Sequence, residues 1–276
     1  MAQIQLARER ACDHAHARDH RGVDDERLQP RDQQRAKAGL ALAIERQADH
    51  AFVAMLAYRS IRTGRAPGAG RLQDFVAVEH MPQTWPQHWP LAAQVVLALA
   101  IAELGLYAAH RIAHEWPAFW RFHALHHSVT RLWVVNTGRF HIVDTCFKAA
   151  LGQLPLYLLG APLPVFLWIS AVTAITGLLT HCNVVMRTGP LDFVFSTPAL
   201  HRWHHSRIPA EGNRNYGENF VLWDQLFGTY FNPPRRPPAD IGIDGTIAKG
   251  FLLQLAQPFS SSGVRAIMGD APPGKG

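Results

Sequence analysis

Hydrophobic positions crowd the middle of this chain and are scarce at its start. Residues 1–70 mix acids, bases and small polar residues with no sustained apolar period, which predicts disorder over most of 1–38. Within that region, 39–58 is apolar enough to predict one amphipathic helix, and Thr63 to Gly70 reads as a Gly/Pro linker. Leu91 to Ala109 is an apolar run interrupted by Gln94 and Glu103. Its length approaches the roughly 20 residues a helix needs to cross a bilayer. Trp85 and Trp89 stand at its start, where interfacial aromatics belong. A second apolar block, Phe147 to Thr180, is cut by Gly160-Ala161-Pro162-Leu163-Pro164. The two halves predict a hairpin of tilted or re-entrant helices that enters and leaves on one side. Residues 215–230 are rich in aromatics, and Tyr216, Trp223 and Phe227 are expected to pack at the membrane surface. The tail from Pro233 is rich in Pro, Gly and Ala and is expected to pack weakly. Three regions follow: a polar extension over 1–70, a membrane domain over 71–232 and a carboxy-terminal tail over 233–276.

Composition changes this picture little. The chain has 276 residues, is 48% hydrophobic and carries a formal net charge of +6. Its basic residues do not form a stripe with interleaved aromatics, so no nucleic-acid partner is expected. Arg111, Arg121, Arg131, Arg139, Arg187, Arg202, Arg207 and Arg214 instead flank the apolar runs, the placement of the positive-inside rule. Three cysteines without a CxxC pair argue against a disulfide framework. Residues 1–40 lack the apolar core of a signal peptide.

The chemistry lies in the histidines. His110 and His114 are four apart. His123, His126 and His127 form an HxxHH box, His201, His204 and His205 form a second, and His181 stands between them beside Cys182 and Asn183. Positions i, i+3 and i+4 share a helix face, so each cluster turns several imidazoles the same way. Burying so many rings without partners costs about 1–3 kcal/mol apiece, a cost that metal coordination offsets. Nine histidines exceed the roughly four ligands of one tetrahedral zinc, so two ions are expected. The Glu and Glu-x-x-His pattern of soluble di-iron bundles is missing. The two boxes flank the predicted hairpin and can meet only if it returns to its starting face. The solitary histidines His14, His16, His20, His50, His80 and His88 read as solvated or packed side chains. A membrane zinc hydrolase and a non-catalytic membrane metal-binding protein are the rival readings of the same clusters.

From about Leu91 to Phe231 the chain resembles the fatty acid hydroxylase/sterol desaturase superfamily of integral membrane di-iron enzymes. The motifs that carry the resemblance are His110-Arg-Ile-Ala-His114, His123-Ala-Leu-His-His127, Arg139-Phe-His141, His181-Cys-Asn183, His201-Arg-Trp-His-His205 and the run from Asn215 to Tyr230. The resemblance implies an all-α, membrane-embedded helical bundle with a cytosolic histidine-rich di-metal cap. It implies two non-haem iron ions held by His110, His114, His123, His126, His127, His201, His204 and His205, with His181 as a further ligand. His141 is expected as a ligand or an orienting partner. Asn183, Asp144 and Asp224 are expected to fix ring tautomers from behind. O2 is the implied co-substrate and a lipid the implied substrate, hydroxylated or desaturated. No haem, flavin or iron–sulfur motif is visible, so electrons are expected from a separate donor protein. The enzyme is expected to be integral to the bilayer with its active site on the cytoplasmic face.

Overall fold

The structure, a computed structural model, describes residues 84–184 and 186–269. The amphipathic helix expected at 39–58 and the linker at 63–70 lie outside the described residues. Among the described residues every regular element is helical, and β-pairing is confined to two isolated bridges, Phe195 with Phe220 and Ser206 with Ile241.

Helix α1 spans Leu91–Glu115. At a rise of 1.5 Å per residue it is about 37 Å long, enough to cross a hydrocarbon core of about 30 Å. Its two polar interruptions are both satisfied. Gln94 accepts from the buried Trp85 Nε1 at 2.8 Å and donates to the Trp89 carbonyl at 2.8 Å, so it pins the entry to the helix. Glu103 accepts from the backbone N–H groups of Glu218 and Asn219 at 2.6 and 2.8 Å and from Asn219 Nδ2 at 2.7 Å. A carboxylate in an apolar span thus anchors a distant loop.

Helix α2, Pro117–His127, starts on a proline at its first turn, where the missing N–H costs nothing. A 3-10 turn over Val134–Gly138 leads to α3, Ile142–Leu158. A short turn with Gly160 at φ +82° reverses the chain into α4, Leu163–Thr180. Helices α3 and α4 both pack against α1, and Ala98, Leu99, Ala102, Leu156, Val165 and Ile169 form the shared core with Trp85. The outer faces carry exposed Val96, Leu104, Leu154, Leu167, Trp168, Ile175 and Leu179. Apolar surface on this scale is placed for lipid, not water. Helices α1 and α4 are both long and apolar enough to cross a membrane. The hairpin expected from the sequence is present, and both HxxHH boxes lie at the end to which it returns.

That end is covered by short elements: α5 (Pro198–His204), α6 (Pro209–Gly212) and α7 (Leu222–Leu226). The tail adds α8 (Phe251–Ala256), a 3-10 turn (Gln257–Phe259) and α9 (Ser261–Met268). The expectation that it packs weakly does not hold. Ile241 and Ile267 are buried, the Gly242 N–H donates to the His205 carbonyl at 3.1 Å, and Gly245 abuts the Ile267 carbonyl. Its glycines permit close backbone approach, which composition alone reads as looseness.

Helices α1 and α3 touch most closely at Gly105, where an added Cβ would lie 1.9 Å from the Leu151 carbonyl oxygen. We expect Gly105→Val to force the pair apart and destabilise the fold by about 1–3 kcal/mol. Thermal unfolding in detergent or nanodiscs reads this, and an unchanged midpoint would contradict the packing.

Candidate metal centre

All nine clustered histidines are buried and converge at one end of the bundle. They fall into two neighbouring sets. His110, His114, His123, His127 and His204 offer ring nitrogens within 4.8 Å of one another, and so do His126, His181, His201 and His205. Each HxxHH box is divided between the sets. In the first box the i and i+4 rings join the five-membered set and the i+3 ring crosses to the other; in the second box the assignment is reversed. The sets share a wall, where His127 and His205 stack at 4.3 Å between ring centroids.

Hydrogen bonds fix how the rings point. His110 Nδ1 donates to the Tyr216 carbonyl at 2.8 Å, His204 Nδ1 to the Arg214 carbonyl at 2.8 Å and His181 Nδ1 to the Gly177 carbonyl at 2.9 Å. A carbonyl only accepts, so these Nδ1 atoms carry the proton, and a neutral ring leaves Nε2 bare. Asp144 accepts from His123 Nδ1 at 2.9 Å, and Asn213 Oδ1 faces His114 Nδ1 at 3.1 Å. The Nε2 atoms then face one another. His127 lies 3.0 Å from His114 and 3.1 Å from His123; His181 lies 3.3 Å from His126 and 3.0 Å from His201; His205 lies 3.1 Å from His201. Nε2 of His110 and of His204 is buried without a hydrogen-bond partner.

This arrangement fits a cation. Unprotonated nitrogens at such distances repel. Two imidazoles bound at 2.0–2.1 Å to one ion sit about 2.9–3.4 Å apart, the separations seen here. Neutral imidazole donors suit Zn, Fe, Cu and Ni. Burial first, and neighbouring histidines next, hold His126, His127, His201, His204 and His205 well below the ordinary imidazole range. Burial also lowers His123 against the opposing pull of Asp144, and it pushes His181 down to about 4.

A fatty acid hydroxylase family model matches residues 95–229. The matched stretch, just under half of the chain, holds all nine clustered histidines. It is 70% identical over 196 residues to an ornithine lipid hydroxylase of Rhizobium tropici, covering 71% of this chain and 59% of that one. It is 32% identical over 142 residues to an alkylglycerol monooxygenase of Danio rerio, covering 51% and 31%. It is 25% identical over 178 residues to a delta(7)-sterol 5(6)-desaturase of Gibberella zeae, covering 62% and 52%. The chain therefore spans less than two thirds of the length of these relatives. No solved structure matches it. With two helices long and apolar enough to cross a bilayer and similarity to lipid-modifying enzymes, it is a membrane protein.

Not every residue that carries the superfamily resemblance joins the sets. His141 caps α3, accepting from the Val143 N–H at 3.1 Å and donating from Nε2 to the Leu255 carbonyl at 3.1 Å. Asn183 accepts from Arg202 at 2.8 Å and touches none of the nine rings. Asp224 acts one step removed. It accepts from the backbone N–H groups of Tyr216 and Gly217 at 2.7 and 2.8 Å, which places the Tyr216 carbonyl under His110. Tyr216, expected at the membrane surface, is fully buried, 5.3 Å from the His114 ring. Its backbone role explains the difference: the carbonyl holds a histidine, so the ring must follow it inside.

Sequence reasoning missed the Asn213 side chain, and it missed the carbonyls of Arg214, Tyr216 and Gly177 because backbone acceptors leave no side-chain signature. It also missed Lys148, buried in an ion pair with Glu218 at 2.5 Å, with Nζ 4.5 Å above the Phe140 ring. A lone cation in an apolar run was the available signal.

The depressed imidazoles make the metal-free protein acid-sensitive. Below the ordinary histidine value of about 6.5 the unfolded chain takes up protons that the folded chain refuses, so stability falls as pH falls. The loss begins near that value and ends only below the folded values, about 4 for His181. Chelator-treated protein should therefore melt at lower temperature at pH 5.5 than at pH 7.5; equal midpoints would contradict the buried neutral rings.

Proposed function

We propose that this chain is an O2-dependent di-iron lipid hydroxylase whose substrate is an ornithine-type aminolipid. The observation that carries the reading is the pair of all-imidazole sets, joined to 70% identity over 196 residues with an ornithine lipid hydroxylase. In this reading His110, His114, His123, His127 and His204 hold one iron and His126, His181, His201 and His205 the other. When bound, such a pair supplies O2 reduction and oxidation of an unactivated C–H bond.

The chain's own residues do the rest. Asp144, Asn213 and the carbonyls of Arg214, Tyr216 and Gly177 keep the Nδ1 protons and aim Nε2 inward, the outer-shell role that sets ligand basicity and ring angle. The stacked wall of Phe140 on His126, 4.2 Å between centroids, keeps water from one side. The lipid chains lie along the apolar faces of α1, α3 and α4. Electrons come from a separate donor protein. Exposed arginines around the histidine end support a cytoplasmic orientation for it.

The test is turnover of an ornithine lipid by the full-length chain in nanodiscs with a reductant and isotopically labelled O2. We expect a product one oxygen atom heavier, with the label drawn from O2. His126→Ala and His204→Ala should reduce product to background, and His88→Ala, an exposed position, should not. An alkene product would move the chain to the desaturases. Activity with zinc alone and no O2 uptake would make it a hydrolase. Full activity in His204→Ala would remove the ligand assignment.

Asp144→Ala leaves His123 Nδ1 without its acceptor. We expect iron affinity to fall about 10–100-fold, measured by competition with a chelator; unchanged affinity would show that Asp144 does not tune the ring.

A further inference from the structure

Phe251, Leu252, Leu253 and Phe259 are each between 61% and 74% exposed. Helix α8 has no buried residue at all. These side chains stand close together in a short stretch of the tail, and nothing among the described residues covers them. Within this stretch of sequence the charged residues are both basic. Lys249 and Arg265 flank the stretch, and no Asp or Glu occurs from Thr246 to Gly269.

The position of this stretch is fixed by contacts. The Leu255 carbonyl accepts from His141 Nε2 at 3.1 Å, and His141 caps the first turn of α3. The Phe259 ring lies 5.5 Å from Phe122 on α2 and 5.8 Å from His141. The segment is thus held at the level where α3 begins. Other apolar groups gather at the same end. Ile142 is exposed on the first turn of α3, as is Trp116 between α1 and α2. Trp116 packs on Phe119 at 5.4 Å, and Phe119 stacks on Phe147 of α3 at 4.3 Å. Aromatics at the ends of spanning helices mark the headgroup level of a bilayer. The exposed tail residues extend that belt, and flanking cations complement anionic headgroups.

We propose that residues 249–265 are an interfacial foot: Phe251, Leu252, Leu253 and Phe259 dip into the boundary between headgroups and acyl chains, and Lys249 and Arg265 meet lipid phosphates. The foot has a consequence for the metal end. The same tail supplies Gly242, Ile243, Asp244, Gly245, Ile267 and Met268 to a cavity of about 130 Å³ that reaches His114, His127 and His204. Anchoring the tail in the bilayer holds that wall of the cavity in place, beside the surface from which a lipid arrives.

The experiment places an environment-sensitive fluorescent side chain at position 252 of the full-length chain in nanodiscs containing nitroxide-labelled lipids. Position 175, exposed on α4, serves as a reference inside the bilayer, and position 244, exposed above the metal end, as a reference in water. We expect the label at 252 to be quenched by shallow nitroxides nearly as strongly as the label at 175 is by deep ones, while the label at 244 is spared. Phe251→Ser with Leu253→Ser should weaken the quenching at 252 severalfold, and Lys249→Glu with Arg265→Glu should weaken it in anionic discs more than in zwitterionic ones. A label at 252 that behaves like the label at 244 would overturn the foot. Emission at 252 that ignores the nitroxides but changes with chain concentration would also overturn it, assigning the patch to a second copy. Quenching absent at both 252 and 175 would overturn the membrane placement of the helices as well.

Discussion

Unprotonated imidazole nitrogens held about 3 Å apart in a buried space are unfavourable unless a cation lies between them. Most of the architecture follows from satisfying that constraint. Five of the nine rings have their Nδ1 occupied by an oxygen acceptor, which commits their Nε2 lone pairs to the interior. Once that orientation is set, the lone pairs of neighbouring rings converge, and a cation between them would offset the roughly 1–3 kcal/mol that each unsatisfied buried polar atom costs. Tertiary packing elsewhere keeps the rings where they are.

The packing that does so is spread along the chain. The return of α3 into α4 brings two histidine boxes, separated by more than seventy residues of sequence, to the same end. Four consecutive residues, Asn213 to Tyr216, supply acceptors for three rings of one set. That strap is itself held by Asn215, at φ +54°, which donates to the Leu200 and Phe231 carbonyls at 3.2 and 2.8 Å, and by Asp224 beneath it. Glu103 clamps the next residues from within α1. The Arg139-Phe-His motif divides its labour: Arg139 Nε donates to the Leu125 carbonyl at 3.1 Å near the end of α2, Phe140 stacks on His126 and His141 starts α3. Each residue touches a different element, so the motif acts as a joint between the helix that carries a histidine box and the hairpin that follows.

The sequence made the helical class, the hairpin with its Gly160 turn and the nine clustered histidines legible, because apolar periodicity and i, i+3, i+4 spacing are local properties. It did not reveal how the boxes would divide. His126 and His127 are neighbours, yet they serve opposite sets, and only the approach of His181 and His201 on one side and of His114 on the other decides this. Acceptors that are backbone carbonyls were invisible for the same reason: any residue type can supply one. Aromatic and glycine content point to surface and looseness for Tyr216 and the tail, and the structure departs from both. Here a carbonyl's task draws Tyr216 inward, and Gly242 and Gly245 allow the backbone to close over the metal end. Asp144 is legible because a carboxylate in reach of a histidine box carries its chemistry in its side chain, whereas Asp224 reaches His110 only through the Tyr216 backbone.

The most direct test of the two-set geometry is the ratio of metal to protein in the purified full-length chain, saturated with ferrous iron under anaerobic conditions and freed of excess metal. Two adjacent imidazole cages predict two ions per chain. They also predict that His201→Ala, which opens only the four-membered set, retains one ion in a folded protein. A saturated ratio of one in the unaltered chain, or the loss of both ions in that variant without loss of fold, would contradict two separate cation sites and leave a single centre in their place.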